Sequence, residues 1–122
     1  MMQGVVNWRC EAILSLVVTN FTGQREFIEA VIDTGFGGFL SLPSERITRL
    51  ELPWNTSNTA TLGDGSEVLF DFYTAKVIWD GEYQKIDVAA SETEPILGMA
   101  MLYGYRLQVD TIEGGRVMIE EL

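Results

Sequence analysis

The 122-residue chain contains no histidine and only one cysteine, and these absences restrict its chemistry. Without histidine, a Ser-His-Asp triad, a Cys-His pair and histidine-ligated zinc are all excluded. Cys10 cannot form a disulfide within the chain, and we expect it to fill a small buried space. Any catalysis must therefore use carboxylates, lysine, tyrosine, serine or a bound metal. A lone cysteine also favours the cytoplasm as the expected location.

Basic residues and long apolar runs are scarce as well. Eight lysines and arginines stand against eighteen acidic residues, which gives a net charge of −10. This charge argues against nucleic acid or an anionic membrane as a partner. The apolar run at residues 12–18 is interrupted by Ser15 and is too short to span a bilayer. Residues 1–5 contain no basic region that leads into an apolar core, so we expect no signal peptide.

Most of the chain alternates apolar and polar residues with a period of two, which is typical of β-strands. The length and the 47% of hydrophobic residues suit one domain with its own core, over residues 1–122. The predicted fold class is mainly β, a small closed domain with one or two short helices. Strands are predicted over residues 9–19, 26–32, 59–62, 67–79, 83–90, 105–110 and 116–119, a loop over 53–58, and helical turns over 43–50 and before 102.

One stretch, Val31-Ile32-Asp33-Thr34-Gly35, combines a buried strand with an acidic residue on a tight loop. The Thr34 hydroxyl can hydrogen-bond to backbone beneath the loop, and Gly35 lets the backbone pass close by without a Cβ. Such an arrangement suits an aspartic protease, which needs a carboxylate held rigidly beside an identical one. Alone, the tripeptide is also the sequence of an ordinary turn, and it arises by chance in roughly a few per cent of chains of this length.

Two further features follow Asp33-Thr34-Gly35-Phe36 in order. They are a hairpin with a glycine-rich tip at Gly63-Asp64-Gly65, and Ile96-Leu97-Gly98 ahead of a short helix. With these three features the chain resembles the retropepsin-like aspartic proteases, and most of all their small prokaryotic branch with Asp-Thr-Gly-Phe at the active site. The resemblance covers residues 14–119 and implies a closed acid-protease barrel and peptide-bond hydrolysis.

The resemblance also implies a role for each motif. Asp33 would be the catalytic aspartate, Thr34 would brace the two catalytic loops across a dimer, and the backbone of Gly35 would face the substrate. The tip of the hairpin would belong to a flap that closes over a bound peptide. The substrate-binding residues implied are Phe36, Gly37, Leu62, Gly63, Asp64 and Gly65.

The later motif would support the active-site loop, although Ile96, Leu97 and Gly98 equally suit plain core packing. In retroviral members, an acid four positions after the catalytic aspartate pairs with an arginine just after the later glycine. Gly37 and Met99 occupy those two positions here, so both charges are missing together. Because both charges are missing, neither remains buried without its partner. How the loop is supported without this ion pair is left open.

One chain supplies one Asp-Thr-Gly, whereas the chemistry needs two carboxylates. The nearest second candidate, Asp110-Thr111-Ile112, lacks the glycine. We therefore expect a symmetric homodimer in which Asp33 of each subunit meets its equivalent on the two-fold axis. The pair would share one proton and activate a water to cleave a peptide or protein substrate, without a cofactor or metal.

Two other interpretations remain. The first is a catalytically silent relative that keeps the fold as a dimerisation or peptide-binding module. The second is an unrelated β domain in which Asp-Thr-Gly is a chance turn. An Asp33 that lay away from any dimer axis would favour the second.

Overall fold

The computed structural model describes residues 1–61 and 63–122, and these are mainly β-strand, as the alternation predicts. Among these residues, no helix has the length and apolar character needed to cross a membrane. The elements in chain order are β1 Met2–Val6, β2 Ala12–Thr19, β3 Arg25–Ile32, β4 Leu40–Leu42, α1 Ser44–Arg49, β5 Trp54–Thr61, β6 Glu67–Trp79, β7 Glu82–Ala90, β8 Ile96–Leu97, α2 Met99–Leu102, β9 Tyr105–Val109 and β10 Arg116–Glu121.

The strands neighbour one another in the order β5-β6-β7-β4-β8-β3-β2-β1-β10-β9. In addition, β2 pairs with β6, so the pairings from β2 through β3, β8, β4 and β7 to β6 run in a ring. The two-residue strand β8 lies between β3 and β4, parallel to the first and antiparallel to the second. The chain that leaves β3 therefore passes around the end of β8 before it returns as β4.

The core follows from the alternation within each strand. In β2, Leu14, Leu16 and Val18 are buried while Ser15 between them is exposed. Helix α1 adds Ile47 to the same cluster. The largest side chains that are fully buried are Val18, Ile28, Leu40, Leu42, Leu50, Val77, Val88, Leu97, Val117 and Ile119.

Two local predictions are wrong. Residues 54–58 belong to strand β5 rather than to a loop, and they pair with β6 from Trp54 opposite Tyr73 onward. This strand is at the edge of the sheet and mostly polar, so it lacks an apolar period. Strand β2 begins at Ala12 rather than at residue 9, because residues 7–11 form the turn that joins it to β1.

Cys10 is a third correction, since it is exposed rather than buried. It lies in the turn between β1 and β2, where its φ is 60°. Asn7 organises this turn, because its side-chain oxygen accepts hydrogen bonds from the N–H groups of Arg9 and Glu11, each at 2.9 Å. Cys10 therefore projects from a tight turn and has no inward-facing strand position to fill.

A buried asparagine joins the β2–β3 turn to the end of helix α1. Asn20 donates its side-chain N–H to the carbonyl of Leu50 at 2.8 Å. Its side-chain oxygen accepts hydrogen bonds from the N–H groups of Thr22 at 3.0 Å and Gln24 at 2.9 Å. One side chain thus satisfies backbone groups on two segments that are distant in sequence.

Asn20→Ala is expected to lower the free energy of unfolding by about 1–3 kcal/mol, because it leaves the buried carbonyl of Leu50 without its partner and removes two hydrogen bonds of the β2–β3 turn. Urea denaturation followed by tryptophan fluorescence measures the change. Asn58→Ala, at an exposed position of β5, is the control and should change stability by less than about 0.5 kcal/mol. Equal effects of the two substitutions would contradict the role assigned to Asn20.

Candidate active site

Strand β3 delivers Asp33 to the surface through a tight turn. The Asp33 N–H donates to the carbonyl of Leu97 at 2.9 Å, which continues the parallel β3–β8 pairing by one residue. The Phe36 N–H then donates to the carbonyl of Asp33 at 3.1 Å and closes the turn. The carboxylate is exposed, and its Oδ1 accepts a hydrogen bond from the Gly35 N–H at 2.8 Å. Backbone groups therefore fix both the main chain and the side chain of Asp33.

The loop after Asp33 is held by the first residues of α2. Three consecutive N–H groups, those of Gly98, Met99 and Ala100, donate to carbonyls of the loop. The acceptors are the carbonyls of Phe39 at 3.0 Å, Phe36 at 2.8 Å and Gly38 at 3.1 Å, in that order. These backbone bonds support the loop in a chain that has Gly37 and Met99 in place of the retroviral ion pair.

Gly98 is required by the close approach of these two segments. A Cβ at this position would lie 2.3 Å from the carbonyl oxygen of Gly38 and 2.7 Å from that of Phe36. Both distances are well below van der Waals contact. Leu97, just before it, is fully buried in the core. The Ile96-Leu97-Gly98 motif therefore both packs the core and contacts the Asp33 loop.

A cavity of about 460 Å³ opens beside Asp33. The Asp33 loop forms one wall, and the β5–β6 hairpin contributes Thr61, Phe70 and Phe72. Among the residues that the structure describes, Asp33 is the one acidic side chain in the lining. The lining residues are Asp33, Gly35, Phe36, Gly37, Ser41, Thr61, Phe70, Phe72, Ala89, Ser91 and Ile96.

The residues expected from sequence are only partly brought together. The catalytic and loop residues Asp33, Gly35, Phe36 and Gly37 line the cavity, and Ile96 lines it with them. Other expected residues are absent from this lining, and Leu62 lies outside the described residues. The expected residues that do not line the cavity are Thr34, Gly63, Asp64, Gly65, Leu97 and Gly98.

Several residues that line the cavity were not expected from the sequence. For some of them, the alternation of apolar and polar residues along the strand indicates which face of the sheet they occupy. Ser41 stands between Leu40 and Leu42, and a polar residue between two core leucines must face away from the core. Phe70 and Phe72 likewise share one face of β6. That this face meets the Asp33 loop depends on the pairing of distant strands, which one sequence does not reveal.

The tip of the β5–β6 hairpin carries a charge of its own. Asp64 Oδ1 accepts hydrogen bonds from the Ser66 hydroxyl at 2.6 Å and the Ser66 N–H at 2.9 Å. These bonds, that of the hydroxyl first, hold the pKa of Asp64 below its ordinary value. Gly65 adopts a φ of +84°, which side chains rarely tolerate. The tip is thus an exposed, negatively charged turn.

A second depression, of about 820 Å³, is lined by both aromatic and methionine side chains. Its described lining contains no carboxylate, so it lacks the group that the Asp33 loop supplies to the smaller cavity. Its lining residues are Phe39, Trp79, Gln84, Met99, Ala100, Met101, Tyr103 and Tyr105. The smaller cavity beside Asp33 is therefore the candidate active site.

Comparison with solved structures finds EIAV protease complexed with the inhibitor HBY-793. The two chains superpose with a TM-score of 0.55 at 17% sequence identity, over 75% of this chain and 85% of the protease. None of the protein-family models or curated proteins compared with the chain matches it. The likeness is one of fold, and it supports the retropepsin-like architecture that the ordered motifs imply.

Gly98→Ala is expected to lower the free energy of unfolding by about 1–3 kcal/mol, because its Cβ would force the Asp33 loop away from α2. Urea denaturation again measures the change. Gly37→Ala is the matched control in the same loop, since no atom lies within 4 Å of a Cβ built there. A destabilisation by Gly37→Ala as large as that by Gly98→Ala would contradict the role assigned to the close approach at Gly98.

Proposed function

We propose that the chain is a homodimeric aspartic endopeptidase whose paired Asp33 carboxylates activate a water to hydrolyse peptide bonds. The observation that carries this proposal is an exposed carboxylate fixed by backbone hydrogen bonds at the wall of a largely apolar cavity. The retropepsin-like fold supports it further. We also infer that the ring of strands acts as the closed barrel of an acid protease.

The need for a second copy follows from the number of carboxylates. The cavity of one chain has a single acidic side chain among its described lining residues, whereas the reaction requires a base and an acid. Met99 is 48% exposed and hydrogen-bonds through its N–H to the carbonyl of Phe36 in the Asp33 loop. Tyr103, which lines the second depression together with Phe39 and Met99, is 87% exposed. A second copy that covers this face would bury them and bring the two Asp33 side chains together.

The mechanism then assigns complementary roles to the two equivalent aspartates. Carboxylates about 3 Å apart do not both ionise readily, so the pair holds one shared proton. The charged Asp33 takes a proton from the bound water, whose oxygen attacks the scissile carbonyl carbon. The protonated Asp33 donates a hydrogen bond to the carbonyl oxygen, and a proton passes to the departing amine as the C–N bond breaks. Which of the two aspartates is charged is set by the bound substrate.

The β5–β6 hairpin acts as a flap in this proposal. An extended peptide would pair with backbone along the hairpin and place its side chains in the cavity. Thr61, Phe70 and Phe72 already reach the cavity from this hairpin. The tip of this flap carries the charge of Asp64, whereas a purely apolar tip would carry none. This charge and the net charge of −10 both disfavour the binding of acidic peptides.

Asp33→Asn is expected to reduce cleavage of an unfolded protein substrate at least about a hundredfold, because it removes both the base and the shared proton. Wild-type cleavage should be strongest at mildly acidic pH and fall toward pH 7.5, as both carboxylates of the pair become ionised. Product formation from pH 4 to 7.5, measured by mass spectrometry, tests both statements.

Asp110→Asn is the matched control, because Asp110 begins the other Asp-Thr pair of the chain and should leave cleavage unchanged. Equal cleavage by wild type and Asp33→Asn would contradict the proposal. Binding of peptides without any cleavage by wild type would instead identify a silent peptide-binding module.

Met99→Glu is expected to weaken the dimer at least about tenfold, because two added charges would face each other near the two-fold axis. Sedimentation equilibrium measures the dissociation constant. Phe27→Glu adds the same charge at a site that is 79% exposed but about 20 Å along β3 from Asp33, and it should leave the dimer intact. A dimer broken by Phe27→Glu and not by Met99→Glu would place the axis elsewhere.

A further inference from the structure

Ser41 is a buried hydroxyl that lacks a partner at the candidate active site. It is 5% exposed, between Leu40 and Leu42, which are 1% and 0% exposed. The two leucines face the core, so Ser41 faces the opposite side of β4, where it lines the cavity beside Asp33. Its Oγ forms no hydrogen bond with any residue that the structure describes. Buried hydroxyls are nearly always paired, so this one calls for an explanation.

The neighbours of Ser41 across the sheet explain why no protein group satisfies it. Ser41 pairs with Ile96 of β8 on one side and with Ala89 of β7 on the other, and Ala89 pairs with Phe72 of β6. Directly paired residues point to the same face, and all four line the cavity. The floor of the cavity is therefore a row of side chains in which Ser41 alone carries a hydrogen-bonding group.

The chemistry of this floor defines the side chain that fits it. The Ser41 Oγ itself has almost no solvent-accessible surface, so rotation about the Cα–Cβ bond must turn it toward the cavity before a ligand reaches it. A neutral amide or hydroxyl would then satisfy it while its carbons pack on Ile96 and Phe72. A carboxylate would lose hydration that a single neutral hydroxyl does not replace, and it would share the cavity with the like charge of Asp33. A purely aliphatic side chain would fill the space but leave Ser41 unpaired.

We propose that Ser41 is a specificity-determining residue, which selects peptides that place a neutral hydrogen-bonding side chain, such as that of Thr, Ser, Asn or Gln, in the cavity. This inference rests on the proposed function in so far as it treats the cavity as the peptide site. A site that hydrogen-bonds a substrate group discriminates against analogues that lack the group, because its own polar atom is then left buried and unpaired. One such bond corresponds to a preference of about five- to tenfold.

The experiment uses a mixture of peptides from digested, denatured proteins, with cleavage sites identified by mass spectrometry. The best substrates are then resynthesised in pairs that differ by Thr or Val, or by Asn or Leu, at each position near the cleaved bond. We expect one position at which wild type favours the polar member about five- to tenfold in kcat/KM. Ser41→Ala should bring that ratio to about one.

The ratio of the two kcat/KM values compares two peptides on the same enzyme preparation. A smaller fraction of folded protein therefore does not change this ratio. Ser15→Ala, on the exposed face of β2, is the control and should keep the wild-type ratio. Ser41→Ala should also unfold at the same or a higher urea concentration than wild type, because it removes a buried group without a partner. An unchanged ratio in Ser41→Ala would overturn the inference.

A parallel binding measurement separates this inference from the proposed catalysis. Peptides that immobilised Asp33→Asn retains from the same digest are resynthesised in the same Thr or Val and Asn or Leu pairs, and they are titrated against Asp33→Asn and against Asp33→Asn combined with Ser41→Ala. One outcome is that Asp33→Asn binds the Thr or Asn peptide more tightly, that the added Ser41→Ala abolishes this preference, and that wild type cleaves no peptide. This outcome would overturn the protease function and uphold the role of Ser41. The absence of any Thr or Asn preference in both cleavage and binding would overturn the role of Ser41, whether or not wild type cleaves.

Discussion

The candidate site depends on one constraint, the insertion of the two-residue strand β8 between β3 and β4. Its last carbonyl, that of Leu97, accepts the N–H of Asp33, and the N–H groups that follow it hold the loop after Asp33. The close approach of these segments leaves no room for a Cβ at Gly98. The position of the carboxylate is thus set by main-chain hydrogen bonds, which do not weaken with salt as a surface ion pair does.

The strand alternation and the ordered motifs predicted the mainly β fold, the position of Asp33 on a loop and the contact of the Ile96-Leu97-Gly98 segment with that loop. The first half of β5, residues 54–58, was missed because an edge strand that is polar on both faces has no apolar period. Cys10 was expected in the core because its side chain is small and apolar. It is exposed because it lies in a tight turn and not at an inward-facing position of a strand. Ser41 was missed because its environment is made by Ile96 and Ala89, which are distant in sequence and adjacent only after the strands pair.

Charge and assembly are coupled in the proposed enzyme. Each chain carries a net charge of −10, and association doubles the charge that is confined in one particle. Asp33 is exposed in the single chain, and a second copy that covers it would remove solvent from it. Mild acid would reduce the repulsion between subunits and also populate the singly protonated pair, so one condition would favour both dimer and catalysis.

Support by the main chain places few demands on the side chains of the Asp33 loop. Hydrogen bonds between peptide groups restrict only those side chains that would obstruct them, as at Gly98, and they leave the other positions of the loop free to vary. An ion pair, by contrast, requires two particular residues at once, and losing one alone would leave an unpaired charge. A chain with Gly37 and Met99 avoids that requirement, since the N–H of Met99 and the carbonyl of Phe36 are present whatever the side chains are. In the proposed enzyme, a substitution at a side chain of the cavity, such as Ser41, could change substrate preference without moving Asp33.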